Sequence, residues 1–249
     1  MHVIAHLGAH GDLGPTLRWL SQRNSHVFEK SGVWVADNAK LSPGITEAMS
    51  HGDKAVGGFR ELAASLDMPA EAGQVFLVDE GSWAFRRSIF ADQELYRDAE
   101  PRTAFLEEFC AAERMSIVLV IENLATFYPR TQPKRNAGAD DEDPAQFLLG
   151  LSWFEMVSCI ANAAPGCELI IVEAEKAPAL LPTLFGYLFP QLKFEQLGGG
   201  YDYLKKNLKW RGRSKVDEVT SDTAANGALS PENSLLLLER FRKVGVTEQ

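Results

Sequence analysis

Short, continuously apolar runs alternate along this chain with stretches whose apolar residues recur at helical spacing. Val3–Leu7, Val33–Val35, Gln74–Val78, Ser116–Ile121 and Glu168–Val172 are the runs, each too short for a buried helix and bounded by turn residues. Ser116–Ile121 is the most uniformly aliphatic and suits a central parallel strand covered on both faces; Glu168–Val172 reads as another inner strand. Helical spacing follows Pro15, where Leu17, Trp19 and Leu20 form an apolar face, and recurs over Phe59–Leu66 and Pro101–Arg114. Gln146–Ala163 reads as one long helix and Ala179–Phe189 as another, with Pro182 as a local break or start. Ser230-Pro231-Glu232 opens a last helix that runs to about Lys243. Between these, Asn38–Lys54 carries Pro43, Gly44 and Gly52 and reads as loop with at most one helical turn; Gln132–Pro144 is a polar, acidic loop, and Gly198-Gly199-Gly200 a flexible turn. Strands alternating with helices in this way predict an α/β protein, a three-layer α/β/α sandwich with a mainly parallel central sheet. No linker or repeat divides residues 1–249, so one domain is expected.

Composition narrows the class. The 249 residues are 45% hydrophobic and 24% charged, as in an ordinary globular chain. A net charge of −9 argues against nucleic acid as a partner, since many cations are needed to neutralise phosphates. Cys110, Cys159 and Cys167 lack metal-ligand spacing and read as reduced core thiols. The first residues lack the build of a secretory signal and no run approaches a membrane span, so a cytoplasmic protein without a membrane partner is expected. Nothing in the sequence points to an oligomeric state.

The first strand, its glycine turn and the following helix form a candidate anion site, because free backbone N–H groups and the helix dipole converge there. The phosphate-loop pattern Gly-x-x-x-x-Gly-Lys-Ser/Thr is met in part: Gly14-Pro15-Thr16 stands at its end, with Pro15 in place of the lysine and Gly8 one residue too far away. Asp79-Glu80 follows a strand's carboxyl end, where α/β folds place ligands, and reads first as capping of the next helix. Lys205, Lys206, Lys209, Arg211, Arg213 and Lys215 make a basic stretch in a net-acidic chain, either a solvated loop or an anion-binding flap.

His6-Leu7-Gly8-Ala9-His10 resembles the opening block of the bacterial sulfotransferase-like group of phosphate-loop proteins, His-hydrophobic-Gly-Ala-His followed by a basic residue and Thr-Gly-Thr-Thr. Phe76-Leu77-Val78-Asp79-Glu80, Leu95-Tyr96-Arg97-Asp98-Ala99, Ala164 to Ile170, Glu175 and Leu229-Ser230-Pro231-Glu232 are similar to its later blocks in order. The resemblance implies a donor, 3′-phosphoadenosine 5′-phosphosulfate, whose sulfuryl group passes to a hydroxyl or amine of a small-molecule or glycan acceptor, with no metal required. It implies donor contacts at Gly8, Ala9, His10, Gly11, Asp12, Gly14 and Thr16 for the 5′ end, and at Glu122 and Arg130 for the 3′-phosphate. His10 as acid or donor and Glu80 as base are the candidate catalytic groups. The departures are chemical. The family's basic residue falls on Gly11, its Thr-Gly-Thr-Thr on Asp12-Leu13-Gly14-Pro15, its 3′-phosphate arginine on Glu122, and its serine on or beside Arg130. Both anion positions have exchanged a cation for other groups, and a charge-assisted hydrogen bond contributes about 1.5–3 kcal/mol. Three functions are therefore carried forward: a divergent sulfotransferase, a non-catalytic relative that binds or scaffolds, and a nucleotide-dependent kinase or hydrolase.

Overall fold

A computed structural model describes residues 1–7, 13–51, 58–78, 89–90, 94–110, 114–131, 144–200 and 202. In chain order, β1 (His2–His6) leads to α1 (Leu13–Arg23) and α2 (Ser25–Lys30), then β2 (Val33–Val35), α3 (Asn38–His51) and α4 (Phe59–Ala64). After β3 (Gln74–Val78) come α5 (Ala99–Phe109), β4 (Arg114–Ile121), α6 (Leu124–Thr131), α7 (Pro144–Leu149) and α8 (Trp153–Ala163). The described chain ends with β5 (Glu168–Glu173), α9 (Ala177–Leu188) and a short 3-10 turn, Phe194–Gln196. The five strands form an all-parallel sheet in the order β2-β3-β1-β4-β5, the α/β/α class. The five predicted strands are present, β2 and β3 with the expected bounds and the other three shifted by a residue or two at their ends.

The chain groups into two compact units. The first, Met1–Pro15 with Gly32–Val172, holds most of the sheet and α3 to α8. On one sheet face, Val3, Ala5 and Leu7 align with Val75 and Leu77 of β3 and with Met115, Ile117 and Leu119 of β4. Leu41 and Ile45 of α3, Phe59 and Ala63 of α4, Leu106 of α5, and Met156 and Ile160 of α8 pack on that face. Ile4, His6, Phe76, Val78, Ser116, Val118 and Val120 on the other face are buried as well. Such two-sided burial is what a continuously apolar run demands, because every apolar side chain left in water forfeits about 1.5–3 kcal/mol.

The second unit comprises Thr16–Ser31 and the described residues from Glu173. Phe28 lies at its centre, edge-on to Phe185 (6.2 Å) and Phe189 (5.4 Å), and Phe185 meets Phe194 at 5.4 Å. Asn24, 3% exposed, clamps the glycine turn: its Nδ2 donates to Leu20 O (2.7 Å) and Gly198 O (3.1 Å), and its Oδ1 accepts from Gly198 N (2.7 Å). Gly199 has φ +81, and a Cβ there would come 2.6 Å from the Trp19 ring. This turn is fastened, not flexible.

Several expectations need correction. Asn38–His51, expected as loop, is α3: it spans fourteen residues through Pro43, because Leu41, Ile45 and Ala48 bury one stripe and Asp37 Oδ1 accepts the N–H of Ala39; residues 52–54 lie outside the described residues. Gln146–Ala163 is two helices; Gly150 ends the first and the Ser152 hydroxyl caps the second by accepting from Phe154 N. Pro182 neither starts nor breaks α9, which begins at Ala177. Among the described residues β5 is the outermost strand on its side, with Ile171 47% exposed, where an inner strand was expected. The Pro101–Arg114 helix ends at Phe109, and Arg114 already belongs to β4. Trp19 lies outside the apolar face, 41% exposed, with the Arg23 guanidinium 5.1 Å above its ring. The terminal helix lies outside the described residues.

Asn24→Ala strips three hydrogen bonds from a buried turn and should lower the unfolding free energy by about 2 kcal/mol. Urea denaturation measures this; an unchanged midpoint would show that the clamp contributes nothing.

Candidate functional site

The strand order places the site. β1 connects to β2 at one margin of the sheet, and β4 connects to β5 at the other, so the chain leaves these adjacent strands in opposite directions. In open α/β sheets the crevice at such a switch point, beyond the strands' carboxyl ends, is where ligands bind. Here its walls are the end of β1, the start of α1 and the segment after β4.

Each wall is locally determined. Leu7 N donates to Val118 O (3.2 Å), extending the β1–β4 pairing one residue beyond β1, and α1 starts at Leu13. Gly14 is buried and Thr16 half-buried in the first turns of α1, and Pro15, an exposed third residue, withdraws an N–H that has no helical partner. At the end of β4, Asn123 caps α6: its Oδ1 accepts from Ala125 N (2.9 Å) and its carbonyl from Thr126 N (3.0 Å) and Phe127 N (2.9 Å). The half-buried Glu122 is held at two points. Its carbonyl accepts from Trp153 Nε1 at 2.6 Å, and its carboxylate lies 3.2 Å from the Thr126 hydroxyl, whose one proton it shares with Asn123 O at 2.8 Å. Behind it stands an aromatic nest: Phe127 lies 5.2 Å from Trp153, 6.3 Å from Tyr96 and 5.7 Å from Phe90, and Phe90 lies 5.1 Å from Tyr128. Tyr96 is buried at φ +55, a conformation that costs a bulky residue energy and needs surroundings that enforce it.

Of the residues expected to bind the donor, Gly14 and Thr16 belong to the first turns of α1, Glu122 directly follows β4, and Arg130 is placed in the backbone of α6. Gly8, Ala9, His10, Gly11, Asp12 and Glu80 lie outside the described residues, as do Asp79 and the basic stretch from Lys205 to Lys215. Trp153 and Tyr96 around Glu122 were not singled out as site residues by sequence; an aromatic at helical spacing looks the same whether its N–H has a special partner or not.

A second polar group gathers at the sheet's opposite, amino end. His2 Nε2 meets Ser116 Oγ at 2.8 Å, Ser116 Oγ donates to Glu168 Oε2 at 2.8 Å, and Arg114 Nη2 donates to the same oxygen at 3.3 Å. Gln74 Nε2 reaches His2 Nδ1 at 3.5 Å. This is not a nucleophilic triad. The serine stands between imidazole and carboxylate instead of ahead of both, and Ser116 is fully buried. Cys110 and Cys167 are poor nucleophiles: burial and the nearby Cys167 push Cys110 up to about 12, and burial and Glu107 push Cys167 up to about 11. Among the described residues no cluster of His, Cys, Asp or Glu is arranged to hold a metal ion, and no helix is long and apolar enough to cross a membrane. Comparisons with protein-family models, curated proteins and solved structures return no match.

Trp153→Phe keeps the ring packing and removes the donor to Glu122 O, so unfolding free energy should fall by about 1 kcal/mol. Equal urea midpoints for the two proteins would show that this bond does not hold the β4 rim.

Proposed function

We propose that the chain is a sulfotransferase-like protein that binds the nucleotide end of 3′-phosphoadenosine 5′-phosphosulfate at the carboxyl ends of β1 and β4, and passes the sulfuryl group to an acceptor hydroxyl or amine. The observation that carries this reading is the strand order, with β1 central and the end of β1 and the start of α1 at the switch point. Backbone N–H groups at the start of α1 suit the 5′ end of the donor. His10 and Glu80 are the acid and base of the proposal, and Arg130 its cation toward the 3′-phosphate.

One observation favours a second reading, a non-catalytic relative. Glu122 occupies the rim of β4 where the resemblance asks for arginine, and Thr126 and Trp153 fix it there. A carboxylate at that place repels the phosphate an arginine would hold. The start of α1 offers backbone N–H groups to the donor, and Glu122 opposes it in charge.

Calorimetry with 3′-phosphoadenosine 5′-phosphate separates the readings. The proposal expects binding that Arg130→Ala weakens by about tenfold or more and that Glu122→Gln strengthens. Absence of binding at about millimolar nucleotide, equivalent to less than about 4 kcal/mol, would overturn donor binding and leave the non-catalytic reading. Binding without sulfuryl transfer to any tested hydroxyl or amine would do the same for catalysis.

A further inference from the structure

Asn38 opens α3, in the first unit, and nothing in the proposed donor site uses it. The residue is 7% exposed, and neither its Oδ1 nor its Nδ2 has a hydrogen-bond partner among the described residues. Each of these atoms has given up water with nothing in exchange, which folding alone disfavours. Capping of α3 does not require it. Asp37 caps: its Oδ1 accepts from Ala39 N at 3.1 Å, and its carbonyl from Lys40 N at 3.0 Å and Leu41 N at 2.9 Å. An apolar residue at 38 would extend the stripe of Leu41, Ile45 and Ala48 without leaving two polar atoms open.

Register places this carboxamide. Val35 pairs with Phe76 and Phe76 with Ile4, and Ala36 N donates to Phe76 O at 2.9 Å. Counted on from that row, Asn38 stands as far along the sheet as Leu7, just past the last β1–β3 pair, His6 with Val78. Neighbouring strands lie about 4.8 Å apart, so the start of α3 is about 10 Å from the end of β1 along the sheet's carboxyl edge. Residues 38, 41, 45 and 48 share one helix face, the face that Leu41 and Ile45 lay on the core. A helical side chain leans toward the N-terminus of its helix, which for α3 is this carboxyl edge. Asp37, Ala39 and Lys40 around Asn38 are exposed, so its carboxamide lies one side chain below the surface.

The two open atoms select a ligand. Oδ1 needs a donor and Nδ2 an acceptor, side by side on one molecule. A carboxylate or phosphate offers acceptors alone and meets the Asp37 carboxylate nearby; an ammonium offers donors alone. A vicinal diol offers both, one hydroxyl giving its proton to Oδ1 and its neighbour accepting from Nδ2. We propose that Asn38 is the recognition residue of a polyol site at the carboxyl ends of β2 and β3, and that it takes a neutral sugar by a vicinal pair of hydroxyls. Binding of the sugar stands by itself; its role as sulfuryl acceptor rests on the function proposed above. In that role a further hydroxyl of the sugar reaches the end of β1 and forms the new S–O bond as the donor's S–O bond to phosphate breaks. Its proton passes to Glu80, the proposed base.

Side-chain amide NMR of the full-length protein reads the site directly. D-glucose should shift the two Asn38 Nδ2–H resonances, assigned by their absence in Asn38→Leu, and the shift should saturate. Phenol, with one hydroxyl, and ethylammonium should leave them in place. Followed at the backbone amides of Val35 to Ala39, glucose affinity should fall about tenfold or more in Asn38→Leu and in Asn38→Asp, which keeps the size and loses the donor. Without ligand, Asn38→Leu should unfold at a urea concentration no lower than the wild type; a lower midpoint shows that the carboxamide already has a partner and overturns the proposal. No shift with glucose, an equal shift with phenol, or unchanged affinity in both variants overturns it too. An adenine edge offers the same donor and acceptor pair, so 3′-phosphoadenosine 5′-phosphate is titrated separately. A shift of the Asn38 amide by the nucleotide assigns that amide to the donor and overturns the polyol site. Glucose binding through Asn38 in a protein that does not bind the nucleotide upholds the polyol site and overturns the donor reading alone.

Discussion

Everything in the first unit depends on β1 being paired on both edges and covered on both faces. Its five residues meet β3 along one edge and β4 along the other in continuous parallel register. A strand in that position can leave no backbone N–H or C=O without a partner, since each buried orphan costs about 1–3 kcal/mol. It can also carry few polar side chains. Val3, Ile4 and Ala5 satisfy the second demand, and the two neighbouring strands satisfy the first.

That constraint sorts the chemistry to the strand ends. At the amino end, the polar side chains of four strands bond one another, which is how His2, Ser116 and Glu168 tolerate their partial or full burial. At the carboxyl end, the chain turns into helices, and capping groups such as Asn123 take up the first N–H groups of α6. The crevice at the β1–β4 boundary thus follows from topology. Its electrical character does not. That is set by single residues, and Glu122 gives the described part of the rim a negative charge.

The strands were legible in the sequence because a strand buried on both faces needs an unbroken apolar run, and such runs are rare by chance. β5 deceived by the same logic: Glu168–Val172 is as apolar as an inner strand, yet it lies outermost among the described strands, because position in the sheet depends on connections that periodicity does not encode. α3 was hidden by Pro43 and Gly44, two breakers whose local cost is offset by the tertiary burial of Leu41, Ile45 and Ala48. Asn24 and Gly198 are far apart in sequence, and Trp153 and Glu122 are thirty-one residues apart, so neither pairing leaves a local trace. The polar string was missed for a related reason. Each member is an ordinary polar residue at or near the start of a strand, and its meaning appears once register brings four strands together. Of the candidate site, the sequence marked the helix start after the first strand and the segment after the central strand; it could not reveal how Glu122 is held.

The claim that ligand chemistry belongs at the carboxyl ends of β1 and β4 is tested most directly by backbone amide NMR during titration with 3′-phosphoadenosine 5′-phosphate. Chemical-shift changes should concentrate at Leu7, in the first turn of α1 from Leu13 to Thr16, and from Glu122 to Thr126, while Gln74, Arg114 and Glu168 at the opposite end stay unmoved. Changes confined to the amino end of the sheet, or no change at Leu7 and Glu122 at saturating nucleotide, would contradict it.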